Sequence, residues 1–490
     1  MNKNDDKIFY TESNMEGEKA IGITTLISFL ILIFAYLNSN SNFNAENDLQ
    51  KRLSQILDAM LEIENDHAVG KVRIAVGYGA CNDLFVKASE LLENESPPSA
   101  TKHYGHIQTM EQLKEMYALF FSSGSAAERF VSNETLFMEL VKRAESLPSG
   151  RYVLGGNAPV MAKRFAMEGG SVMLGAKRND YLLKNLLPNM AVSGGPTSGS
   201  RDDIHLIMEY YKGEKWGDYL STRANRFIIH NDISNPKLSS SLEFGKELES
   251  FKPHLLVIGG LQMMDNYPYA EEVHRQIFAL PKSTLVHFEM ASFTDEALLK
   301  DLNKYVTPNV DSLGMNEQEL PNLFTLLKYG NVSVVSHQNP RVAEVLDQMR
   351  EIFRFLGSKG EKSIPEHHDR ILTRMHVHTL AFQAIMVDLR SQWKNTRAAV
   401  TKAALVAHRH VCHKKEVEVS HSNILMDEGF SLSTHPNTGR VMFDDLKPVS
   451  CWIEDTHYQI CIAPVLVCTK VQQTAGGGDN ISAAGLVLQI

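Results

Sequence analysis

Cysteine, tryptophan and charge of a single sign are all scarce in this chain. Its five cysteines, Cys81, Cys412, Cys451, Cys461 and Cys468, are too few and too scattered for a disulfide framework, and none forms a C-x-x-C pair. At most two bridges are possible. Cys461 and Cys468 lie in apolar, strand-like sequence and read as buried free thiols. The 49 basic and 58 acidic residues give a formal charge of −9 with no long block of one sign, which leaves no electrostatic footing for nucleic acid as a partner. Long apolar runs are also missing, with one exception. Ala20–Leu37, "AIGITTLISFLILIFAYL", is eighteen residues without a charge, just long enough to approach a bilayer span.

The segment before that run carries Lys3, Lys7 and Lys19 against Asp5, Asp6, Glu12, Glu16 and Glu18, a poor match to a basic signal-peptide leader. An uncleaved anchor edges ahead of a cleaved signal, followed by the linker "NSNSNFNAEND", so residues 1–45 form an N-terminal segment and 46–490 the folded remainder. Endoplasmic-reticulum membrane or secretory-pathway placement is the expectation that follows.

With 43% hydrophobic residues over 490 positions, the chain can bury a large core. From Lys71 onward, short β-branched runs alternate with amphipathic helical stretches. "KVRIAVGYG", "RYVLGG", "SVMLGA", "HLLVIGG", "TLVHFEMA" and "MHVHTLAF" are mostly apolar, as expected of strands covered by helices on both faces. Most precede a helical segment, which implies crossover connections and a mainly parallel sheet, an α/β fold. Residues 84–148, largely helical, and 191–230, with strand-like pairs, read differently and are expected to form a smaller α+β lid interleaved with the main domain.

Near the C-terminus, "TAGGGDNISAAG" places Gly476, Gly477 and Gly478 before a helix. Unobstructed backbone N–H groups and the partial positive charge of a helix N-terminus make an anion cradle. Asp479 reads either as a simple helix cap or as a base facing whatever the cradle holds. Three glycines weigh against the cap, because each adds backbone entropy that folding must overcome. No lysine follows the glycines, so this is not a Walker loop.

"TAGGGD" resembles the T-x-G-x-G-D signature of ribokinase-like sugar kinases, whose aspartate is the catalytic base and whose preceding amides form the anion hole. Gln473 stands where ATP-using members usually have an aspartate. That departure fits the ADP-dependent branch, and over most of Lys71–Leu486 the chain is most similar to the animal ADP-dependent glucokinases. The resemblance implies a three-layer α/β/α ribokinase-like main domain with a lid. It also implies transfer of the β-phosphoryl group of ADP to D-glucose with Asp479 as base and Mg²⁺ assisting; a monomer is the expected state.

The same resemblance assigns further residues. "GGNA" places Gly156 and Asn157 in the glucose pocket. "SGSAAERFV", which reads locally as helical with a solvated glutamate, resembles the family's lid segment and makes Glu128 a sugar contact. Asp83 in "GYGACNDLF" matches a sugar-binding aspartate, although Gly79 stands where many relatives carry asparagine and Asn82 is the neighbouring substitute. "HFEM" and "NEQE" match the family's H-x-E and N-x-x-E motifs, so Glu289, Glu319 and Asn316 are the metal-associated residues. Carboxylates acting through water suit Mg²⁺, which prefers oxygen ligands. Arg226 matches an arginine near the nucleotide phosphates. "GGLQMM" matches a sugar-pocket stretch, its methionines reading as packing. "HRHVCHKK" reads as a polar helix end, and the histidines of "MHVHT" as satisfied core. The rival readings are an ATP-dependent sugar kinase of the same fold, an ADP-dependent fructose-6-phosphate kinase, and a binding protein whose catalysis has lapsed.

Overall fold

Runs such as Leu255–Gly259, buried at every position, and Leu285–Glu289, likewise buried throughout, become interior strands because both of their faces are covered. They belong to a ten-stranded sheet in the computed structural model, which describes residues 46–195, 201–264, 270–291, 296–331, 339–357 and 370–490. Its strand order is Ser450–Glu454, Tyr458–Pro464, Phe382–Asp388, Arg374–His378, Ser312–Asn316, Leu285–Glu289, Leu255–Gly259, Arg73–Tyr78, Ser171–Gly175, Met190–Ser193. The seven strands from Arg374–His378 to Met190–Ser193 pair in parallel, and the three at the other end pair antiparallel. Helices cover both faces, giving the expected three-layer α/β/α arrangement. Phe244, Leu248, Leu302, Leu323, Leu346 and Met349 pack from helices onto Leu256, Ile258, Val286, Phe288, Leu313 and Met315 of the sheet. The helices Asn157–Met167, Thr396–Val411 and Gly477–Val487 form another packed layer.

A second sheet of five strands runs Ala127–Phe130, Asn225–His230, Ile204–Tyr210, Cys81–Lys87, Arg151–Gly155. Its core is aromatic and aliphatic, with Tyr117, Phe121, Phe137, Tyr210 and Phe227 buried together. Two helices flank it with well-defined ends: Met110–Ser123 starts at Thr109, whose side chain accepts from Gln112 N, and stops at Gly124 in the left-handed region at φ 66°. Glu134–Glu145 starts at Asn133, which accepts from Leu136 N.

Several expectations change here. Glu128 sits on a strand, not a helix: Ala127–Phe130 pairs in parallel with Asn225–His230 and alternates buried with half-buried residues, the period-two signature that four residues are too short to announce in sequence. "RYVLG" leaves the main sheet for the second one, where it pairs antiparallel with Cys81–Lys87, so the second sheet reaches beyond residue 148. Its partly exposed Arg151, Tyr152 and Val153 fit a strand with one face uncovered. The free-thiol reading of Cys461 and Cys468 is replaced by two disulfides, Cys412–Cys468 and Cys451–Cys461. Both depend on juxtapositions made by the fold: Cys451 and Cys461 face each other across paired strands, and Cys412 ends the helix Thr396–Val411.

The chain divides into Met1–Gln55, of which 46–55 are described and are helical, and Ile56–Ile490. The expected membrane anchor is corrected: among the described residues no helix is long and apolar enough to cross a membrane, and Ala20–Leu37 lies outside them. Endoplasmic-reticulum placement therefore has no structural support.

With four cysteines bridged and only Cys81 free, unfolding without reductant should expose one titratable thiol per chain, rising to five after reduction. Three or more thiols before reduction would contradict the assigned bridges.

Candidate active site

The glycine run takes the conformation that only such a run tolerates easily. Gly476 is the N-cap of the helix Gly477–Val487 and lies in the left-handed region at φ 71°, with no side chain capping the helix. The helical ladder is first seen at Asn480, whose N–H donates to the Gly476 carbonyl at 3.1 Å, so the preceding amides are the unpaired donors of a helix start. Gly478 could carry no side chain, since a Cβ there would lie 2.8 Å from His378 Cε1. The stem of the loop is tied to the helix end that reads "HRHVC": His410 Nε2 bonds the Ala475 carbonyl at 2.8 Å, and Gln472 N donates to the Val411 carbonyl at 2.8 Å. The helix-end reading of that motif stands, with His408 Nδ1 bonding the Leu466 carbonyl at 2.8 Å.

Asp479 lies in the first turn of the helix rather than at its cap, so the capping alternative falls. Asn157 Nδ2 donates to its Oδ1 at 2.9 Å. Burial, reinforced by the negative charge of Glu289, pushes the Asp479 carboxyl up to about 7 against the opposing effects of Asn157, His378 and Arg226.

Three carboxylates line the ends of neighbouring parallel strands beside it, where open α/β sheets bind ligands. Glu289 ends Leu285–Glu289 and is buried, yet both of its oxygens are occupied. His287 Nε2 lies 2.9 Å from Oε2, His378 Nε2 lies 3.2 Å from Oε1, and Ser482 Oγ also donates to Oε2. Burial alone would raise its carboxyl, but these hydrogen bonds and the histidine charges overcome it and hold the group well below the usual carboxylate range. Gly314 makes room for it, because a Cβ there would sit 2.0 Å from Glu289 Oε2. Glu319 closes a ring with Asn316: Asn316 N and Nδ2 donate to its oxygens at 2.9 and 2.8 Å, while Asn316 Oδ1 accepts from Glu319 N at 3.0 Å. Burial pushes the Glu319 carboxyl up to about 7. Glu317, between them, is half-buried and raised by burial, opposed by His378, Arg223 and Arg226.

Arg226 emerges from the second sheet on Asn225–His230. Its Nη1 donates to Asn225 Oδ1 at 3.0 Å, and its buried Nε has no hydrogen-bond partner among the described residues. Its charge is felt by Asp479 and Glu317, which places it at the same end of the site.

On its other side Asn157 begins a continuous polar chain. Gln262 Nε2 donates to Asn157 Oδ1 at 2.9 Å and to Glu128 Oε2 at 3.3 Å. Glu128 Oε1 lies 3.1 Å from His205 Nδ1, and His205 Nε2 lies 3.0 Å from Asp232 Oδ2. Burial would lower the His205 imidazole, but Cys81 and Asp232, through charge and hydrogen bonds, pull it well above its ordinary range. Asp83 joins this cluster through Cys81, whose Sγ–H donates to Oδ1 at 3.2 Å, and burial pushes its carboxyl up to about 6. Gly155 is required behind it, since a Cβ would lie 1.9 Å from Asp83 Oδ1. Gly156, at φ 81°, is the N-cap of the helix that Asn157 opens, and a Cβ there would meet the Gly79 carbonyl at 2.6 Å.

The asparagine missing at position 79 has a steric reason: a Cβ on Gly79 would lie 2.7 Å from the Gly260 Cα. Asn82 does not replace it. Adjacent strand residues point to opposite faces, and Asn82 bonds Asp202 at 3.1 Å, away from the face Asp83 occupies.

Thus Asp479, Gly476–Gly478, Asn157 and Glu128 fall into one connected region, with Glu289, Glu319, Asn316 and Arg226 around its glycine end and Asp83 at the far end. Sequence reasoning did not single out His205 or Asp232, placed Gln262 only within a matched sugar-pocket stretch, and took His378 for core. "GGLQMM" and "MHVHT" carried the signal, but only the fold shows that Gln262 and His378 turn toward the carboxylates. Hard oxygen donors suit Mg²⁺. Protein donors occupy both oxygens of Glu289 and of Glu319.

Residues 72–488 match the family model described as "ADP-specific Phosphofructokinase/Glucokinase conserved region". The chain is 31% identical over 84% of its length to an ADP-dependent glucokinase of Bos taurus, covering 84% of that protein. It is 26% identical over 90% of its length to a probable ADP-dependent glucokinase of Caenorhabditis elegans, covering 91% of it. Among solved structures, an ADP-dependent kinase in complex with fructose 6-phosphate and ADPβS superposes with a TM-score of 0.62 at 17% identity, over 90% of this chain and 97% of that one. A phosphofructokinase of Pyrococcus horikoshii with AMP superposes at 0.53 and 16% identity, over 86% and 98% of the two chains. These likenesses to solved structures establish the fold.

The Asp479 carboxyl makes a signed prediction. An acid raised from 3.8 to about 7 costs the folded state nothing below its ordinary value, and the cost grows as pH rises to about 7, because the folded protein holds the proton longer than the unfolded chain. Asp479→Asn removes that cost, so its stability should exceed the wild-type value by an amount that widens from pH 5 to about pH 7 and then levels off, at most about 4 kcal/mol, read as a growing Tm difference. A difference that is flat or reversed over that range would show that Asp479 is not held protonated by burial.

Proposed function

We propose that this chain, which belongs to the ADP-specific phosphofructokinase/glucokinase family, transfers the β-phosphoryl group of ADP to the 6-hydroxyl of D-glucose, giving glucose 6-phosphate and AMP. The observation that carries the reading is the position of Asp479. It stands between a helix start with unpaired amides and a hydrogen-bonded polar chain running through Asn157 and Gln262 to Glu128. A carboxylate at about 7 takes a proton readily at neutral pH, and Asp479 accepts that of the attacking hydroxyl. The Gly476–Gly478 backbone and Arg226 hold the transferring phosphoryl group, compensating charge as it redistributes.

Asp83, Glu128, Gly156 and Asn157 bind the sugar, with Gln262 as an added contact: its buried Oε1 has no hydrogen-bond partner in the described residues and is an acceptor for a hydroxyl. Glucose suits this end better than a sugar that already carries a phosphate. The charged partners of Glu128 and Asp83 are histidines and further carboxylates, an environment that disfavours a second anionic group. Glu289 and Glu319, with Asn316 and the neighbouring Glu317, are the residues that would hold Mg²⁺. When bound, the ion neutralises charge on the donor phosphates. The second sheet, which brings Glu128, Asp83 and Arg226, acts as a lid whose closure excludes water and protects ADP from hydrolysis.

A protein beginning near Asn44, assayed with glucose and Mg²⁺, should form glucose 6-phosphate with ADP and not with ATP, and Asp479→Asn should lower kcat by about 10²–10⁴-fold. Turnover with ATP alone would move the chain to the other ribokinase-like branch. Ligand binding without turnover from either donor would identify a lapsed enzyme.

A further inference from the structure

A run of three glycines offers no side chain by which its own amides can be aimed, so the aim must come from elsewhere. The Gly476 carbonyl receives two hydrogen bonds from one residue, at 3.1 Å from Asn480 N and 2.8 Å from Asn480 Nδ2. The other end of that side-chain amide, Oδ1, accepts from Arg164 Nε at 2.9 Å. Since Arg164 can only donate, it fixes which way the Asn480 amide is turned, and with it the donor presented to Gly476.

Arg164 is itself held in a mostly buried ion network. Its Nη1 lies 3.5 Å from Glu168 Oε1, Glu168 Oε2 lies 2.8 Å from Lys402 Nζ, and Lys402 Nζ lies 3.4 Å from Glu64 Oε1. Arg409 closes the network with two bonds of 2.8 Å to Glu64. Arg164 and Asn157 stand seven residues, two turns, apart on one helix, so that a single helix grips Asp479 at one point and Asn480 at the next.

We propose that Arg164 and Asn480 are positioning residues for the phosphate end of the site: together they lock the Gly476 carbonyl and so aim the amides that follow it at the nucleotide's terminal phosphate. Neither residue touches the reacting atoms. The inference rests on the ADP-dependent reading above and assigns a role that the TAGGGD signature does not contain.

Two variants test it. Asn480→Asp keeps the shape and the contact with Arg164 but replaces the donor to Gly476 by an acceptor, and Arg164→Met keeps the apolar stem without the guanidinium. Each should weaken calorimetric ADP binding and lower kcat/KM for ADP by about 10- to 100-fold, the scale expected when reacting groups are misplaced by about an ångström. KM for glucose should stay within about 2-fold, because the sugar contacts are untouched, and Arg164→Lys should lie nearer the wild type than Arg164→Met. Should Arg164→Met fail to fold, Asn480→Asp carries the test alone. Parallel losses for both substrates that track Tm, or a folded Asn480→Asp with wild-type ADP binding, would overturn the proposal while leaving an active wild type and the functional reading intact. A wild type that neither binds nor uses ADP would overturn both.

Discussion

A carboxylate removed from water must be compensated by charge or by hydrogen-bond donors, and the unequal compensation of a few buried carboxylates organises this protein. Glu289 receives two histidines and a serine and stays ionised. Asp479, in the first turn of the helix beside those strand ends, receives one asparagine and faces the negative charge of Glu289, so it is held near neutrality. Environments that push paired acids in opposite directions divide labour between them. One carboxylate is left as a fixed charge, the other as a group ready to exchange a proton.

Placing these carboxylates together requires backbones closer than side chains allow. Gly314 yields space to Glu289, Gly155 to Asp83, Gly478 to His378, and Gly79 to Gly260. Each is a point where the main sheet, the second sheet or the glycine loop meets another element at van der Waals contact. The departure at Gly79 from the family's common asparagine therefore belongs to packing first: the turn after Arg73–Tyr78 passes directly over Gly260, which itself sits at φ 77°.

The loop before Asp479 links the two sheets. Ala475 is buried with Phe85 and Ile207 of the second sheet, while its carbonyl is bound by His410 from the helix behind. His410 is driven down to about 4 by burial, so it is neutral at physiological pH and serves as a hydrogen-bond anchor rather than as a charge. The second sheet and the helix Thr396–Val411 therefore both meet the stem of the glycine run.

Local patterns in the sequence determined a good deal. Uninterrupted apolar strands before amphipathic helices specify a covered parallel sheet, and three glycines before an aspartate specify a helix start whose amides no side chain caps, because both signals lie within a dozen residues and arise from backbone physics. The H-x-E and N-x-x-E motifs put Glu289 and Asn316 at the ends of neighbouring strands, with Glu319 beside them, for the same reason. Tertiary structure alone decided what depends on distance in space. It placed Glu128 on a strand, sent Arg151–Gly155 to the second sheet, joined Cys412 to Cys468 and Cys451 to Cys461, and turned His378 and Gln262 into the site. Glu128 and Gln262 are separated by 134 residues, and Asn157 and Asp479 by 322, so neither contact leaves any periodic trace along the chain. The sequence carries the chemistry of these side chains, whereas their protonation and aim come from the desolvation and packing that appear only once the chain has closed on itself.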